Sequence, residues 1–360
     1  MIKRLAAGVM LASFSLAAAP ASASSGTPPS KTAADRCDRA CMTRLADGLV
    51  ASMVARNPGA VPLTQSYRAS ENGVAAALPM MSLWRTPSEA LAKQYLIDAS
   101  TGEMFIVVTL REGGPTALFW GRLKVEEGRF SELELFLTRS RADAGYQYDA
   151  DGMSSLPTQW TRPVEAKRLM PRDALHIVGS SMFSPKMESP AAHPDCRLME
   201  NGKIVGEEPE MMAFMLPEGA PLPEERLPDG SIPMLCPIVP ERPADPHARV
   251  IADAATGLVV AIATVEGIVQ PYPVTTPSWS AFVPGEMVAH YHGALARANA
   301  TGKYKSETIA PLPATIFVAQ MFRVYDGKVQ GMHLFQKMSA PGSRSIWVST
   351  APATAIKPKE

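Results

Sequence analysis

Apolar and polar positions alternate most clearly near residue 135. Leu133, Leu135 and Leu137 take turns with Glu132, Glu134 and Phe136, the period of a strand with one face in a core. Glu127-Gly128 is a turn that joins this strand (129–138) to one at 118–126, predicting a hairpin. MFIVVTL (104–110) and VVAIATV (259–265) are apolar runs that each follow an Asp-x-x-Thr-Gly turn, predicting buried strands. Helical spacing replaces alternation over 35–56, where Leu45, Leu49, Met53 and Val54 recur and Asn57-Pro58-Gly59 stops the helix. A second helix is predicted over 172–183, and a third near 284–298.

Residues 5–19 are almost wholly apolar, preceded by Lys3 and Arg4 and followed by Ala21-Ser22-Ala23. This is the order of a secretory signal peptide, with cleavage expected after Ala23. The run is too short to span a bilayer comfortably. The mature protein is expected to be periplasmic or secreted.

The chain repeats itself. Arg68, Glu71, Asn72 and Gly73 recur as Arg197, Glu200, Asn201 and Gly202, at an offset of 129. Asp98, Thr101 and Gly102 recur as Asp253, Thr256 and Gly257 at offset 155, and 121–137 recurs as 320–336 at offset 199. Three motifs in one order predict a tandem duplication. The growing offsets place 26 and 44 extra residues in the second copy, as insertions at about 203–252 and 266–315. Long ordered insertions tend to be lids, binding loops or interfaces. The expected organisation is a signal peptide (1–23), a linker (24–34), a first half (35–160), a second half (161–350) and a tail (351–360).

Composition narrows the partners. Removing Lys3 and Arg4 with the leader leaves 33 basic against 35 acidic residues, with no basic cluster. Neither nucleic acid nor an anionic membrane surface is an expected partner. Four cysteines in an oxidising compartment favour disulfides over metal ligation. Of the three pairings, Cys196–Cys236 is preferred because it closes a proline-rich loop. Cys37 and Cys41 lie on the predicted first helix, where Cβ geometry often opposes a bridge. There is no phosphate loop, GxSxG, HExxH or dinucleotide fingerprint, so no cofactor or metal is expected.

A helix, a turn and an antiparallel sheet closing on a hydrophobic-Asp-Gly-Lys-Val hairpin resemble the SnoaL-like pattern. That superfamily includes ketosteroid isomerase, scytalone dehydratase, polyketide cyclases and nuclear transport factor two. Arg197/Glu200/Asn201/Gly202, Asp253/Gly257/Leu258/Val259 and Ser345-Ile346-Trp347 resemble more closely an exported fungal and bacterial family of largely undefined role. The resemblance spans roughly 35–348 and departs from the compact pattern at both insertions. It implies an α+β chain of two tandem SnoaL-like halves, each a helix on a cone-shaped antiparallel sheet with a mostly apolar pocket.

Such pockets carry acid–base chemistry, which needs groups that titrate near neutrality. His333 is the first candidate, in the final strand where the first half has Glu134. His176 lies on the second half's opening helix. His290, Tyr291 and His292 lie on the predicted inserted helix, where the two histidines point some 200° apart and cannot share a face. Glu266 ends an apolar strand, where desolvation raises a carboxyl pKa. Glu71, Asn72, Glu200 and Asn201 recur in both halves and read as structural turns.

The expected function is a cofactor-independent lyase, dehydratase or isomerase acting on a hydrophobic small molecule. The alternatives are a non-catalytic small-molecule-binding protein and an interaction module whose halves form an internal version of a SnoaL-type dimer. A homodimer is also compatible with the sequence.

Overall fold

The computed structural model describes residues 37–144, 147–184, 187–188, 190–209, 212–213, 221–236, 247–269, 282–285, 311–346 and a few between 288 and 300.

Helix α1 (Arg39–Val54) starts where Asp38 accepts the Cys41 N–H at 2.8 Å, an N-cap that relieves one unpaired backbone donor. It buries Met42, Ala46, Leu49, Val50 and Met53, a helical stripe, against the first sheet. That sheet contains β1 (Leu63–Glu71), β2 (Val74–Ala75), β3 (Glu89–Asp98), β4 (Glu103–Arg111), β5 (Thr116–Glu126) and β6 (Arg129–Thr138), in the order β2-β1-β6-β5-β4-β3. All its pairs are antiparallel except β1 with β6.

Two short helices, α2 (Arg141–Ala144) and α3 (Thr158–Thr161), lie on the connection to α4 (Arg172–Ser181). The second half then supplies β7 (Leu198–Glu200), β8 (Lys203–Ile204), the small ladder β9 (Gly206–Glu207) and β10 (Ile232–Pro233), β11 (Arg249–Asp253), β12 (Leu258–Val269), β13 (Phe282–Pro284), β14 (Leu312–Tyr325) and β15 (Lys328–Ser339). Its large sheet runs β11-β12-β14-β15-β7-β8, with β13 beside β12. Again a single pair, β7 with β15, is parallel.

The two sheets therefore share one strand order, and they agree in detail. Strands β4 and β12 leave equivalent turns in which Gly102 and Gly257 accept Val125 N–H and Val324 N–H at 2.8 and 2.7 Å. Each sheet has a register shift one residue before that valine, at Lys124/Val125 and Arg323/Val324. Such bulges bend a strand and increase its twist. The chain is thus α+β, with two mostly antiparallel, curved sheets and few helices.

The sheets pack face to face. Phe105, Trp120 and Phe136 from the first meet Phe317 and Phe335 from the second, with Trp120 stacked on Phe136 at 4.2 Å and Phe105 against Phe335 at 5.8 Å. Aromatic pairs of this kind add about 1 kcal/mol each beyond burial. The opposite face of each sheet carries its own helix, α1 or α4.

The expected strands are found within a few residues. The first helix begins at Arg39 rather than 35, leaving Cys37 outside the helical turn and free to bond Cys41 across a Cα separation of 5.2 Å. Cys196 bonds Cys236, the preferred pairing. Most of the predicted helix near 284–298 lies outside the described residues, and Pro284 itself ends β13. No described helix is long and apolar enough to cross a membrane, and two disulfides fit an oxidising compartment.

Candidate functional site

The recurring Glu-Asn-Gly turns show which part of the repeat is structural. Asn72 and Asn201 both have positive φ (53° and 44°) and donate their N–H to Leu135 O and Leu334 O at 2.8 Å. Their side-chain oxygens accept Leu137 N–H at 2.9 Å and Gln336 N–H at 2.8 Å. Each asparagine stitches the first hairpin of its half to the last strand. The preceding glutamates part company. Glu71 accepts three hydrogen bonds, from Ser82 N–H, Ser82 Oγ and Leu83 N–H at 2.8–3.0 Å. Glu200 accepts Gln147 N–H at 3.3 Å and is only 9 % exposed. Burial raises its carboxyl to about 7, against weaker lowering by Gln147 and Arg141. It lies on the helix-bearing side of the sheet with Leu198 and Leu334.

His333 occupies the inter-sheet layer. Its ring is 0 % exposed, 4.0 Å from Phe335 and edge-on to Trp160 at 5.9 Å. Gly202 N–H donates to its Nε2 at 2.9 Å, so in the neutral ring Nδ1 carries the proton. Burial alone pushes its pKa down to about 3. A neutral, sealed imidazole can accept one backbone hydrogen bond but cannot exchange protons with solvent near pH 7. Glu134, at the matching place in the first half, is also buried, and its carboxylate takes a 2.5 Å hydrogen bond from Ser345 Oγ. Burial holds that carboxyl above its usual range.

The other sequence candidates are dispersed. His176 is exposed on α4 with Nδ1 3.3 Å from Ser180 Oγ. That helix packs on the far face of the sheet from His333. Glu266 is exposed near the end of β12. It pairs with Thr315, and His333 pairs with Met321, six residues further along β14, which is about 20 Å. His290 and Tyr291 lie outside the described residues, and His292 is exposed. The described histidines and Glu266 therefore do not meet around one substrate position. Among the described residues no three His, Cys, Asp or Glu side chains could hold one metal ion.

The helix-bearing face differs between halves where the register is fixed. Met104, Ile106, Val108 and Leu110 of β4 are matched by Val259, Ala261, Ala263 and Val265 of β12, all buried under their own helix. The second wall is thinner by about seven side-chain heavy atoms, and α4 comes close to it at Gly179, where an added Cβ would stand 2.6 Å from Val250 and 2.9 Å from Val259. Its helix is also shorter, with 10 residues in α4 against 16 in α1. Gln320 and Gln336 place amides on this face where the first half has Gly121 and Leu137. The contrast is present in the repeated sequence, but its meaning depends on which strand face looks toward the helix.

Two open clefts flank the connection between the halves. One, of about 380 Å³, lies between Asp149–Pro157 and Leu227–Asp229, with Met199 and Gly202 in its wall. The other, of about 560 Å³, lies at the β14–β15 turn and includes Arg162, Arg168, His193 and Lys328. Charge and composition of the sequence did not single out either one.

The sequence matches no protein-family model and no curated protein. Solved structures with a likeness include a protein of unknown function with a cystatin-like fold from Methylobium petroleophilum PM1. It is 16% identical over 28% of this chain and 78% of its own, with a TM-score of 0.25. An NTF2-like protein of unknown function from Cytophaga hutchinsonii ATCC 33406 is 10% identical over 27% and 88%, with a TM-score of 0.23. A phenazine biosynthesis-related protein from Pseudomonas aeruginosa is 9% identical over 28% and 80%, with a TM-score of 0.21.

Proposed function

We propose that this is an exported, non-catalytic binding protein made of two SnoaL-like halves that arose by duplication. In this reading the first half is scaffold, and an apolar small molecule occupies the cone between α4 and the second sheet. The carrying observation is the thinned wall, Val259-Ala261-Ala263-Val265 in place of Met104-Ile106-Val108-Leu110. Gly179 of α4 already packs against Val250 and Val259, so the ligand would lie beyond that contact, toward Ala263 and Val265.

The test is binding of a neutral apolar fluorophore, N-phenyl-1-naphthylamine, to the mature protein. Ala261→Leu with Ala263→Leu refills the wall and should weaken binding at least about tenfold, the equivalent of about 1.4 kcal/mol. Undiminished binding by a folded double variant would refute the reading.

One observation favours a second reading, the lyase or isomerase. Glu200 lacks the three-donor cap of Glu71 and is poised near neutrality, as a general acid or base must be. If it abstracts a carbon-bound proton, a ligand that copurifies should take up deuterium on incubation with the protein in D2O. Glu200→Gln should abolish that uptake. Mass spectra showing equal uptake with the variant would remove Glu200 from the chemistry.

A further inference from the structure

The 560 Å³ cleft at the β14–β15 turn is built by three segments pinned to one hairpin. On one side Asp326 N–H donates to Arg168 O at 2.9 Å, and Leu169 bridges to Tyr325. On the other, His193 N–H donates to Val329 O at 2.8 Å and Val329 N–H to Ala191 O at 2.9 Å. Arg323 Nη2 donates to Arg162 O at 3.0 Å, fixing the end of the third segment. Gln330, 7 % exposed, donates Nε2 to Tyr325 O and sets its amide in the wall.

Charge in this cleft is not balanced. Asp326 is bound by Arg168 through Nε at 3.1 Å and Nη2 at 2.5 Å, which with the nearby Arg162 holds its carboxyl below the usual range. The cleft thus holds three permanent cations, Arg162, Arg168 and Lys328, against two carboxylates, Asp326 and Asp195. The remaining acid, Asp195, is mostly exposed and lies beside His193 at 3.6 Å. Among the described residues, Arg162 and Lys328 have no side-chain acceptor, and Arg168 uses only its Nε and Nη2 edge. Surplus guanidinium and ammonium donors in a concave site concentrate anions.

We propose that this cleft binds an oxyanion, the phosphate or carboxylate group of a small polar molecule, through Arg162, Lys328 and the Nη1 edge of Arg168. Guanidinium suits both groups because it presents paired N–H donors. The site is separate from the apolar cone and does not depend on that reading.

Calorimetric titration of the mature protein with inorganic phosphate, and separately with malonate, tests it and shows which oxyanion is preferred. Saturable one-site binding that weakens as salt rises is the expected result. Arg162→Gln with Lys328→Gln should weaken it at least about tenfold. Lys328→Gln alone, on an exposed turn, should still cost about threefold if the double variant does not fold. Lys203→Gln, in the other cleft, should leave the affinity unchanged. Absence of saturable heat with both anions overturns the proposal, as does an equal loss in Lys203→Gln, which would mark a diffuse charge effect.

Discussion

Asp98 and Asp253 occupy the same place in two equivalent turns, and each binds an arginine from the other half. Arg172, the first residue of α4, reaches Asp98 Oδ2 at 2.7 Å. Arg39, the first residue of α1, reaches Asp253 Oδ1 at 2.6 Å, while Asp253 Oδ2 also accepts Ile97 N–H at 3.1 Å. The carboxylates are buried, but the arginines are about a third exposed. The relation is reciprocal, as in an interface between like subunits, where residue i meets j and j meets i.

Loss of either arginine leaves a buried carboxylate without its counter-charge. Arg39→Ala and Arg172→Ala should each destabilise by about 1–2 kcal/mol, less than a fully buried pair because water screens the guanidinium. Burial pushes the Asp98 carboxyl up, but Arg172 and Ser100 outweigh it and hold it below the usual range. Its contribution is therefore present above the unfolded value of 3.8 and lost as pH falls below it. Urea midpoints would show this, and an unchanged midpoint in both variants would mean that the pairs add nothing.

Two buried groups should bend the pH profile of stability in opposite senses. Glu200 is raised from 4.5 to about 7, so its contribution is complete below 4.5 and is lost as pH rises through about 7. The change is of order 3 kcal/mol. Glu200→Gln should flatten the profile there. His333 is lowered from 6.5 to about 3, so stability falls as pH drops below 6.5, where the unfolded ring takes up a proton. His333→Gln should remove that acid-side decline. Denaturant titrations across both windows distinguish the two, and profiles identical to the parent's would count against both assignments.

The turn glycines should separate into two classes. A Cβ at Gly102 or Gly257 would stand 2.5 or 2.4 Å from Val125 O or Val324 O, and both residues have φ near 70°. Alanine at either should cost about 2–4 kcal/mol, from strain plus displaced backbone. Gly128 and Gly327 have the same φ of 69° but open space, so alanine there should cost only about 1 kcal/mol. Thermal unfolding of the four variants would reveal the division, and equal costs would contradict it.

The disulfides should differ in weight. Cys196–Cys236 spans a separation of 40 residues and Cys37–Cys41 a separation of 4. Loop-closure entropy gives about 4 kcal/mol for the first and about 2 for the second. Replacing each pair by serine should lower the melting temperature more for the 196–236 pair. The reverse order would show that local strain or docking outweighs loop length.

Much of the fold was legible because its signals are local. Alternation at Leu133, Leu135 and Leu137, the Glu127-Gly128 turn and the stop at Asn57-Pro58 need only neighbours in sequence to be read. The offsets between Asn72 and Asn201, and between Gly102 and Gly257, carry the common register of the sheets in the sequence itself. The candidate site was harder because it depends on faces. His333 and Glu134 share a strand position, but nothing local tells that this face meets the other sheet instead of a pocket. Glu200 read as structural because Glu71 recurs. The difference lies in Ser82 and Leu83, which satisfy Glu71 from a segment eleven residues downstream. The cleft around Arg162 and Lys328 draws on three segments far apart in the chain, and no spacing rule links them.

Both sheets belong to one covalent chain, and this frees the interface from self-complementarity. In a pair of identical subunits, position 134 or 333 would have to accept the same side chain twice across the axis. Here it carries a carboxyl roofed by Ser345 on one side and an imidazole roofed by Trp160 on the other. The tether also keeps the two sheets together at any dilution.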